Sequence, residues 1–245
     1  MTDDLRARVA ELEWYHTMDL PGGVTTPGFF DHRGILPKYG FPARLDGKRV
    51  LDVGTFDGFF GFELERRGAE VVSLDVPDAA SLDFPAHLRR TGLTRFQPRH
   101  VNFDLAREAL GSKVDRRFVS VYDASPEALG TFDLVFIGSV LIHLRDPVGA
   151  LMALRTVVND GGEIMICEEI RRWLDLVGRK TPIAKLQAMS PHLTWWIGNR
   201  ACWEHMLRAA GFVDVRHGAT FTIPYRGARG GIRHGMLTAR QPGDA

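Results

Sequence analysis

The sequence predicts an α/β protein with a Rossmann-like, mostly parallel seven-stranded sheet, an antiparallel last strand and helices on both faces. Between residues 46 and 170, short apolar runs rich in β-branched residues alternate with helical patterns, which is typical of a parallel sheet covered on both faces. The first run ends in a glycine-containing turn that leads into a helix. Two strand-like runs then close the chain after a late helix.

The first 45 residues are predicted to form an N-terminal lid or substrate-binding segment. A helical pattern over residues 1–14 is followed by LPGGVTTPGFFDHRGILPKYGFP, in which glycines and prolines favour turns. A loop of this length in a compact domain usually has a functional reason.

Residues 46–170 hold the five predicted parallel strands. In chain order they are KRVLDVG, AEVVSLDV, RRFVSVYDAS, FDLVFIG and GGEIMICEE. Because right-handed crossovers connect parallel strands, the carboxyl ends of all five meet on one rim of the sheet. We therefore look for a functional site among the side chains at those ends.

The rest of the chain is predicted as a tryptophan-rich helical insert over 171–210 and closing strands over 211–245. VDVRHGATFTIP and RHGMLTARQ are the expected strands. Since the 245 residues contain neither repeats nor low-complexity blocks, the sequence predicts a single domain.

The composition limits the classes of function that this chain can have. The 31 basic and 30 acidic residues give a formal net charge of +1, whereas nucleic-acid-binding proteins usually carry a clear basic excess. The two cysteines provide neither a disulfide framework nor a zinc site. No apolar run approaches the roughly 20 residues of a membrane-spanning helix, and the N-terminus has no signal-peptide pattern. We expect a cytoplasmic protein with a small-molecule substrate and neither a membrane nor a nucleic-acid partner.

The segment LDVGTFDGFF at 51–60 is the strongest motif. Asp52 and Gly54 end a buried strand, and Gly58 stands at the mouth of the following helix, so the backbone can turn tightly and approach a ligand. The spacing differs from the G-x-G-x-x-G of dinucleotide enzymes. A carboxylate at Asp57 would repel a phosphate, which disfavours an NAD-dependent oxidoreductase. Asp52 suits a cationic ligand, such as the ammonium or sulfonium end of S-adenosylmethionine.

Two further acids end the next strands. Asp75 lies about 20 residues beyond the glycines, where a carboxylate can accept both ribose hydroxyls of a nucleoside cofactor. Asp123 follows the third strand, where it could accept a hydrogen bond from an adenine amino group. A lone aspartate in such a place is as often a turn or helix cap. Three at successive strand ends after a glycine loop indicate a cofactor site.

On these motifs the sequence resembles the class I S-adenosylmethionine-dependent methyltransferases, over about residues 46–170. The resemblance implies S-adenosylmethionine as cofactor, held at Asp52, Gly54, Gly58, Asp75 and Asp123, with backbone contacts from Gly138 and Ser139. Phe56 stands where many members have glycine.

The opening WYHTMDLPGGVTTPGFFDHR, the segment IHLRDP and the late tryptophan-containing stretch that ends in AGF resemble a narrower subgroup. It is related to the tRNA wobble-uridine modifying methyltransferases, and some enzymes in its neighbourhood, including actinobacterial ones, methylate sugar hydroxyls. The resemblance implies an O-methyltransferase whose best single acceptor is a carbohydrate. The alternatives are a tRNA-modifying methyltransferase and a non-catalytic module that binds S-adenosylmethionine.

A hydroxyl acceptor must lose a proton, so the active site needs a base near the methyl group. His143, just after the fourth strand, is the first candidate because an imidazole titrates near neutral pH; the alternative is a packing role. Glu169 is the second catalytic candidate. With Glu168 and His143 it could also hold Mg²⁺, against the alternative of a substrate-binding carboxylate.

Aromatic residues in the flanking segments are candidates for acceptor binding, because rings beside polar groups suit a sugar face. These are Trp14, Tyr15 and His16 in the N-terminal segment and Trp195 and Asn199 in the insert. Buried tryptophans that form a core are the alternative. Exposed N-terminal aromatics would also favour a homodimer.

Overall fold

The computed structural model describes residues 2–89, 100–177, 180–189 and 193–243. The strands in chain order are β1 Asp19–Leu20, β2 Val24–Thr25, β3 Arg49–Val53, β4 Glu70–Asp75, β5 Asp115–Phe118, β6 Phe132–Gly138, β7 Val158–Glu169, β8 Ala184–Leu186, β9 Trp196–Gly198, β10 Val213–Pro224 and β11 Gly231–Arg240. The α-helices are α1 Thr2–Ala10, α2 Phe59–Arg66, α3 Ala86–Arg89, α4 His100–Leu110, α5 Pro126–Leu129, α6 Pro147–Thr156, α7 Arg172–Val177 and α8 Arg200–Ala209. None of the helices among these residues is long and apolar enough to cross a bilayer.

The central sheet has seven strands in the order β10-β11-β7-β6-β3-β4-β5. Neighbouring strands from β7 to β5 pair in parallel, whereas β11 is antiparallel to both β7 and β10. This confirms the predicted mostly parallel sheet with an antiparallel last strand.

Alternation along the central strands gives the sheet two apolar faces. On β3, Val50 packs into one core, while Leu51 and Val53 pack into the other. The first core also contains residues of the N-terminal segment, α2 and α4, and the second contains residues of α6 and α8. Helices therefore cover both faces, as predicted.

The N-terminal segment packs tightly on the first core. Phe30 forms isolated bridges with His16 and with Tyr225, next to β10, and the backbone amide of Arg226 donates to the carbonyl of Phe29. Residues 14–32 thereby lie along the carboxyl rim of the sheet.

The predicted helical insert also contains strand structure. Besides α7 and α8 it holds the antiparallel pair β8 and β9, with Ala184 opposite Gly198. Trp196–Gly198 forms a short strand within the segment that the sequence predicted to be helical.

Candidate active site

A cavity of about 1840 Å³ opens at the carboxyl ends of the parallel strands. This is the rim where open α/β sheets bind ligands, and the volume exceeds the roughly 300–1000 Å³ typical of a single small-molecule pocket. The ends of β3, β4, β6 and β7, the N-terminal segment, the insert and β11 all contribute to its lining. The cavity therefore has room for two molecules side by side.

The glycine loop reaches the cavity at Gly54. Its φ of 74° lies in the left-handed region, and its amide donates to the carbonyl of Leu74, so the chain turns away from β3 beside β4. Gly58, also at positive φ, is not among the described lining residues. A Cβ there would lie 2.3 Å from the ring of Phe62, so this glycine permits the packing of α2.

Asp75 lies where the sequence predicted, in the cavity wall at the end of β4. One carboxylate oxygen accepts from the Phe56 amide at 3.1 Å, and the other accepts from the Val76 amide at 2.8 Å. Burial raises the pKa of Asp75 to about 6. The carboxylate is thus fixed in place with free lone pairs for a ligand's hydroxyls.

Asp52 does not reach the cavity. It is 1% exposed, lies beneath α2 near Gly61, and accepts a hydrogen bond from the Ser73 hydroxyl at 3.4 Å. Burial raises the pKa of Asp52 to about 6. The predicted contact with a ligand's methionine end therefore has no support in this geometry; strand alternation turns the side chain toward the helix instead.

Asp123 is likewise outside the cavity. The chain forms a 3₁₀ turn over Val121–Asp123, in which Val121 and Tyr122 line the cavity and Asp123 is exposed. A residue that follows a strand was expected to face inward, but the 3₁₀ turn directs Asp123 outward.

Gly138 and Ser139 line the cavity at the end of β6, as predicted. Ser139 has a φ of 56°, and its hydroxyl lies 2.6 Å from Nε2 of His234 on β11. The Nδ1 of His234 donates to the carbonyl of Ile232 at 3.0 Å, so Nε2 accepts from the serine. Burial lowers the pKa of His234 to about 4, which keeps the ring neutral.

His143 also lines the cavity, from the 3₁₀ turn Leu141–His143 after β6. Its Nδ1 donates to the carbonyl of Leu193 at 2.8 Å. Because a carbonyl only accepts, the neutral ring carries its proton on Nδ1, and Nε2 is the nitrogen available to a ligand. Burial lowers the pKa of His143.

Glu168 and Glu169 point in different directions at the end of β7. Glu168 is fully buried and accepts from the amides of Val140 and Leu141 at 3.1 and 2.9 Å. Burial raises the pKa of Glu168 to about 8. Glu169 lines the cavity and forms an ion pair with Arg171 at 2.7 Å.

The predicted Mg²⁺ site is not supported. Within the described ranges, no group of three or more His, Cys, Asp or Glu side chains is placed to hold a metal ion. Glu168 is directed at backbone amides and His143 at the insert, so the two do not converge with Glu169.

The N-terminal acceptor candidates lie in the cavity wall, whereas those of the insert do not. Trp14, Tyr15 and His16 are lining residues, and Trp14 also donates from Nε1 to the carbonyl of Val9 at 3.0 Å. Trp195 donates from Nε1 to the carbonyl of Asp83 at 2.5 Å. Asn199 is fully buried, and its side-chain oxygen accepts from the Cys202 amide at 2.9 Å, which caps α8.

The expectation of a homodimer rested on exposed N-terminal aromatics. Trp14 is only 4% exposed, because it packs in the first core of its own chain. Phe29 of the same segment is 55% exposed, and the homodimer stays a prediction.

Sequence reasoning missed Asp57 and His234 as parts of this site. The carboxylate of Asp57 accepts from the amides of Tyr15 and His16 and from the His16 ring. His234 lies opposite Glu169 in the register of β11 and β7. His234 lies on an inner strand of the sheet. This position depends on the order of the strands, which no local sequence pattern predicts.

Comparison with known proteins identifies the family to which the chain belongs. A model described as a methyltransferase domain matches residues 35–217. The chain is 33% identical over 173 residues to a tRNA U34 carboxymethyltransferase of Pseudomonas aeruginosa, covering 70% of this chain and 47% of the relative. It is 28% identical over 120 residues to a ubiquinone biosynthesis O-methyltransferase of Acinetobacter baylyi, covering 49% of this chain and 43% of that protein. The chain thus spans about half the length of these curated relatives.

Solved structures show the same fold. The N-terminal domain of EvdMO1, determined with S-adenosylhomocysteine bound, superposes with a TM-score of 0.62 at 18% identity, covering 98% of this chain and 97% of that one. A 1,6-didemethyltoxoflavin-N1-methyltransferase of Burkholderia thailandensis gives a TM-score of 0.56 at 15% identity, over 86% of this chain and 79% of that one.

Proposed function

Because the chain belongs to the class I S-adenosylmethionine-dependent methyltransferases, we propose that it transfers a methyl group to a hydroxyl of a small acceptor, with a carbohydrate as the favoured class. The observation that carries this proposal is the two-part lining of the cavity. Its cofactor half consists of Gly54, Asp75, Val121, Tyr122 and Gly138, and its acceptor half consists of Tyr15, His16, Phe30, His143, Ser139, Glu169, Tyr225 and His234.

The cofactor half fits a nucleoside. The Asp75 carboxylate is held by two backbone amides and has remaining lone pairs for ribose hydroxyls. Val121 and Tyr122 offer an apolar wall for a purine ring. Gly54 and Gly138 leave the backbone accessible at the ends of the two central strands.

The acceptor half combines aromatic faces with hydrogen-bonding groups. Tyr15 meets the ring of Phe30 at a centroid distance of 5.1 Å, and Phe30 meets Tyr225 at 5.6 Å. Glu169 and Ser139 stand nearby on the sheet rim with polar atoms for hydroxyl groups. Such a mixture favours a sugar ring. The structurally similar EvdMO1 domain has also been crystallised in the presence of S-adenosylhomocysteine and D-fucose, which is compatible with this class of acceptor.

The reaction needs positioning and a proton acceptor. When bound, S-adenosylmethionine supplies an electrophilic methyl carbon, whose bond to sulfur breaks as the acceptor oxygen bonds to it and the electron pair stays on sulfur. The residues of the acceptor half would orient the hydroxyl and take its proton. His143 is one candidate base, because burial lowers the pKa of its ring and its Nδ1, not its Nε2, is bonded to the carbonyl of Leu193. Glu169 would accept a hydrogen bond from the acceptor.

Methyl transfer to a panel of free sugars and phenols, followed by mass spectrometry with S-adenosylmethionine as donor, tests the proposal. We expect a gain of one methyl group on a sugar hydroxyl. A protein that binds S-adenosylhomocysteine but methylates none of the panel would contradict the proposal and favour a non-catalytic binding module.

A tRNA-modifying methyltransferase is the second candidate, because relatives of that name share 33% identity over 70% of the chain. The net charge of +1 supports the small acceptor instead. Binding of unmodified tRNA at low and moderate salt distinguishes the two. Tight binding that weakens steeply with salt would favour tRNA, and weak binding at both salt concentrations is expected for a sugar methyltransferase.

A further inference from the structure

Four histidines line the cavity among the described residues: His16, His32, His143 and His234. The Nδ1 of each ring has a different partner, and that partner affects whether the ring can act as a base. His234 uses both nitrogens, on Ile232 and Ser139. His32 lies 2.7 Å from the hydroxyl of Tyr39 and is 4% exposed. His234 therefore has no nitrogen left for an acceptor molecule. His32 has a hydroxyl rather than a carboxylate at Nδ1, and burial holds its pKa well below the usual value, so His16 and His143 are the stronger candidates for a base.

His16 differs from the others because its partner is a carboxylate. Its Nδ1 contacts Oδ1 of Asp57, while the other oxygen of Asp57 accepts from the backbone amides of His16 and Tyr15 at 2.8 and 2.9 Å. Asp57 is fully buried. With two amides and one ring nitrogen around it, the carboxylate fixes the orientation of the imidazole and the position of its proton on Nδ1.

The glycine loop explains why Asp57 points at the N-terminal segment. Phe56 and Gly58, on either side of it, have φ values of 56° and 95°, so the chain reverses around Asp57. The loop that forms the wall of the cofactor half therefore also holds the ring of His16 in the acceptor half. The Nε2 of His16 has no hydrogen-bond partner within the part of the chain that the structure describes, and His16, which is 5% exposed, is a lining residue of the cavity.

We infer that the His16–Asp57 pair, rather than His143, takes the proton of the acceptor hydroxyl. This inference rests on the proposed methyltransferase function and assigns its base. The proton moves from the acceptor oxygen to Nε2 of His16, and the oxygen keeps the electron pair with which it bonds to the methyl carbon. The imidazolium that forms has its Nδ1–H directed at the Asp57 carboxylate and later releases its proton to water.

The partner of Nδ1 is the reason for preferring His16 to His143. A carboxylate stabilises the positive charge that develops on an imidazole during proton transfer, as in the Ser-His-Asp arrangement of hydrolases. The neutral carbonyl of Leu193 beside His143 provides only an ordinary hydrogen bond. Both residues line the same cavity, and the negative charge at Nδ1 favours His16 as the group that accepts the proton.

Three variants test the assignment with the sugar acceptor identified in the methyl-transfer panel. We expect His16→Gln to lower kcat by about 100- to 10 000-fold, which is the usual range for loss of a general base, and to keep the affinity for S-adenosylhomocysteine within twofold. Asp57→Asn should lower kcat by a similar factor because it removes the charge. His143→Ala should raise KM and keep kcat within about tenfold of the wild type.

A matched control pair exists on the surface. His217 on β10 contacts the carboxylate of Glu204 on α8 at 2.7 Å, and neither residue lines the main cavity. His217→Gln removes the same kind of histidine–carboxylate contact and should leave kcat unchanged. Because this pair is partly exposed and the His16–Asp57 pair is buried, the folding of His16→Gln and Asp57→Asn is checked by their own melting temperatures.

Chemical rescue separates a base from a structural residue, and an NMR measurement tests the contact between Nδ1 and Asp57 on which the assignment depends. Added imidazole should restore part of the activity of His16→Ala, because a small base can enter the space that the ring leaves. In nitrogen-15 histidine NMR spectra, a low-field Nδ1 proton of His16 should be present in the wild type and lost in Asp57→Asn.

Three results would overturn the assignment. They are near-normal kcat in His16→Gln with loss of kcat in His143→Ala, an NMR spectrum with the His16 proton on Nε2, and a drop of tenfold or more in S-adenosylhomocysteine affinity for His16→Gln. The last would make His16 a cofactor ligand. A wild-type protein that methylates no acceptor would instead contradict the proposed function, so the two failures are distinguishable.

Discussion

The two halves of the cavity are built in different ways. The cofactor half comes from the ends of adjacent parallel strands, and its contacts rely largely on backbone atoms and on Asp75. The acceptor half gathers side chains from the N-terminal segment, β6, β7 and β11, which are far apart in sequence. A ligand site made by a repeated strand–turn–helix unit can be inferred from local sequence. One assembled from distant segments depends on the whole topology.

The largest effect that tests this comparison is expected at Asp75. Asp75→Ala removes the carboxylate for two ribose hydroxyls, and hydrogen bonds to charged groups contribute roughly 1.5–3 kcal/mol. We expect the affinity for S-adenosylhomocysteine to fall by about 10- to 100-fold, measured by calorimetry. Unchanged affinity would remove Asp75 from the cofactor half.

Glu168 links the halves, because its carboxylate holds the amides of the turn that carries His143. Its folded-state pKa of about 8 exceeds the ordinary value of 4.5, so its contribution to stability is present below pH 4.5 and is lost as the pH rises through about 8. The melting temperature of the wild type should therefore fall between pH 5 and pH 8 more than that of Glu168→Gln.

The exposed Glu127→Gln is the control, since its carboxyl lies on the surface of α5. Its melting temperature should follow that of the wild type across the same range. Parallel melting curves for Glu168→Gln and the wild type would show that Glu168 does not titrate in this way.

A smaller effect is expected at Asn199, which caps α8 and organises the insert beside the acceptor half. Asn199→Ala should lower the free energy of unfolding by about 1 kcal/mol and leave cofactor affinity unchanged. Ser125→Ala removes the cap of α5, where the side chain accepts from Ala128, and should cost a similar amount. If Asn199→Ala weakened cofactor binding, the insert would belong to the cofactor half as well.

The smallest effect is expected at Asp123. Because its side chain is exposed outside the cavity, Asp123→Ala should keep S-adenosylhomocysteine affinity within twofold of the wild type. A loss comparable to that of Asp75→Ala would mean that the turn Val121–Asp123 rearranges to bring this carboxylate to the ligand.

The sequence predicts the sheet, the glycine loop and Asp75 because strand periodicity and turn glycines are local signals. It does not predict that Asp52 lies beneath α2, where strand alternation turns its side chain, or that Asp123 is exposed on a 3₁₀ turn. From the sequence we expected Asn199 to contact the acceptor. The same side-chain amide can either bind a ligand or cap a helix, and in the structure it caps α8. The contact between Asp57 and His16 joins residues 41 positions apart, so no local pattern predicts it.

Calorimetric titration of the purified protein with S-adenosylhomocysteine, with NAD as the control ligand, tests whether the cavity binds the methyl donor's product. We predict binding of S-adenosylhomocysteine in the micromolar range and none of NAD. Absence of S-adenosylhomocysteine binding, or equal binding of NAD, would contradict the assignment of the cofactor half and of the function built on it.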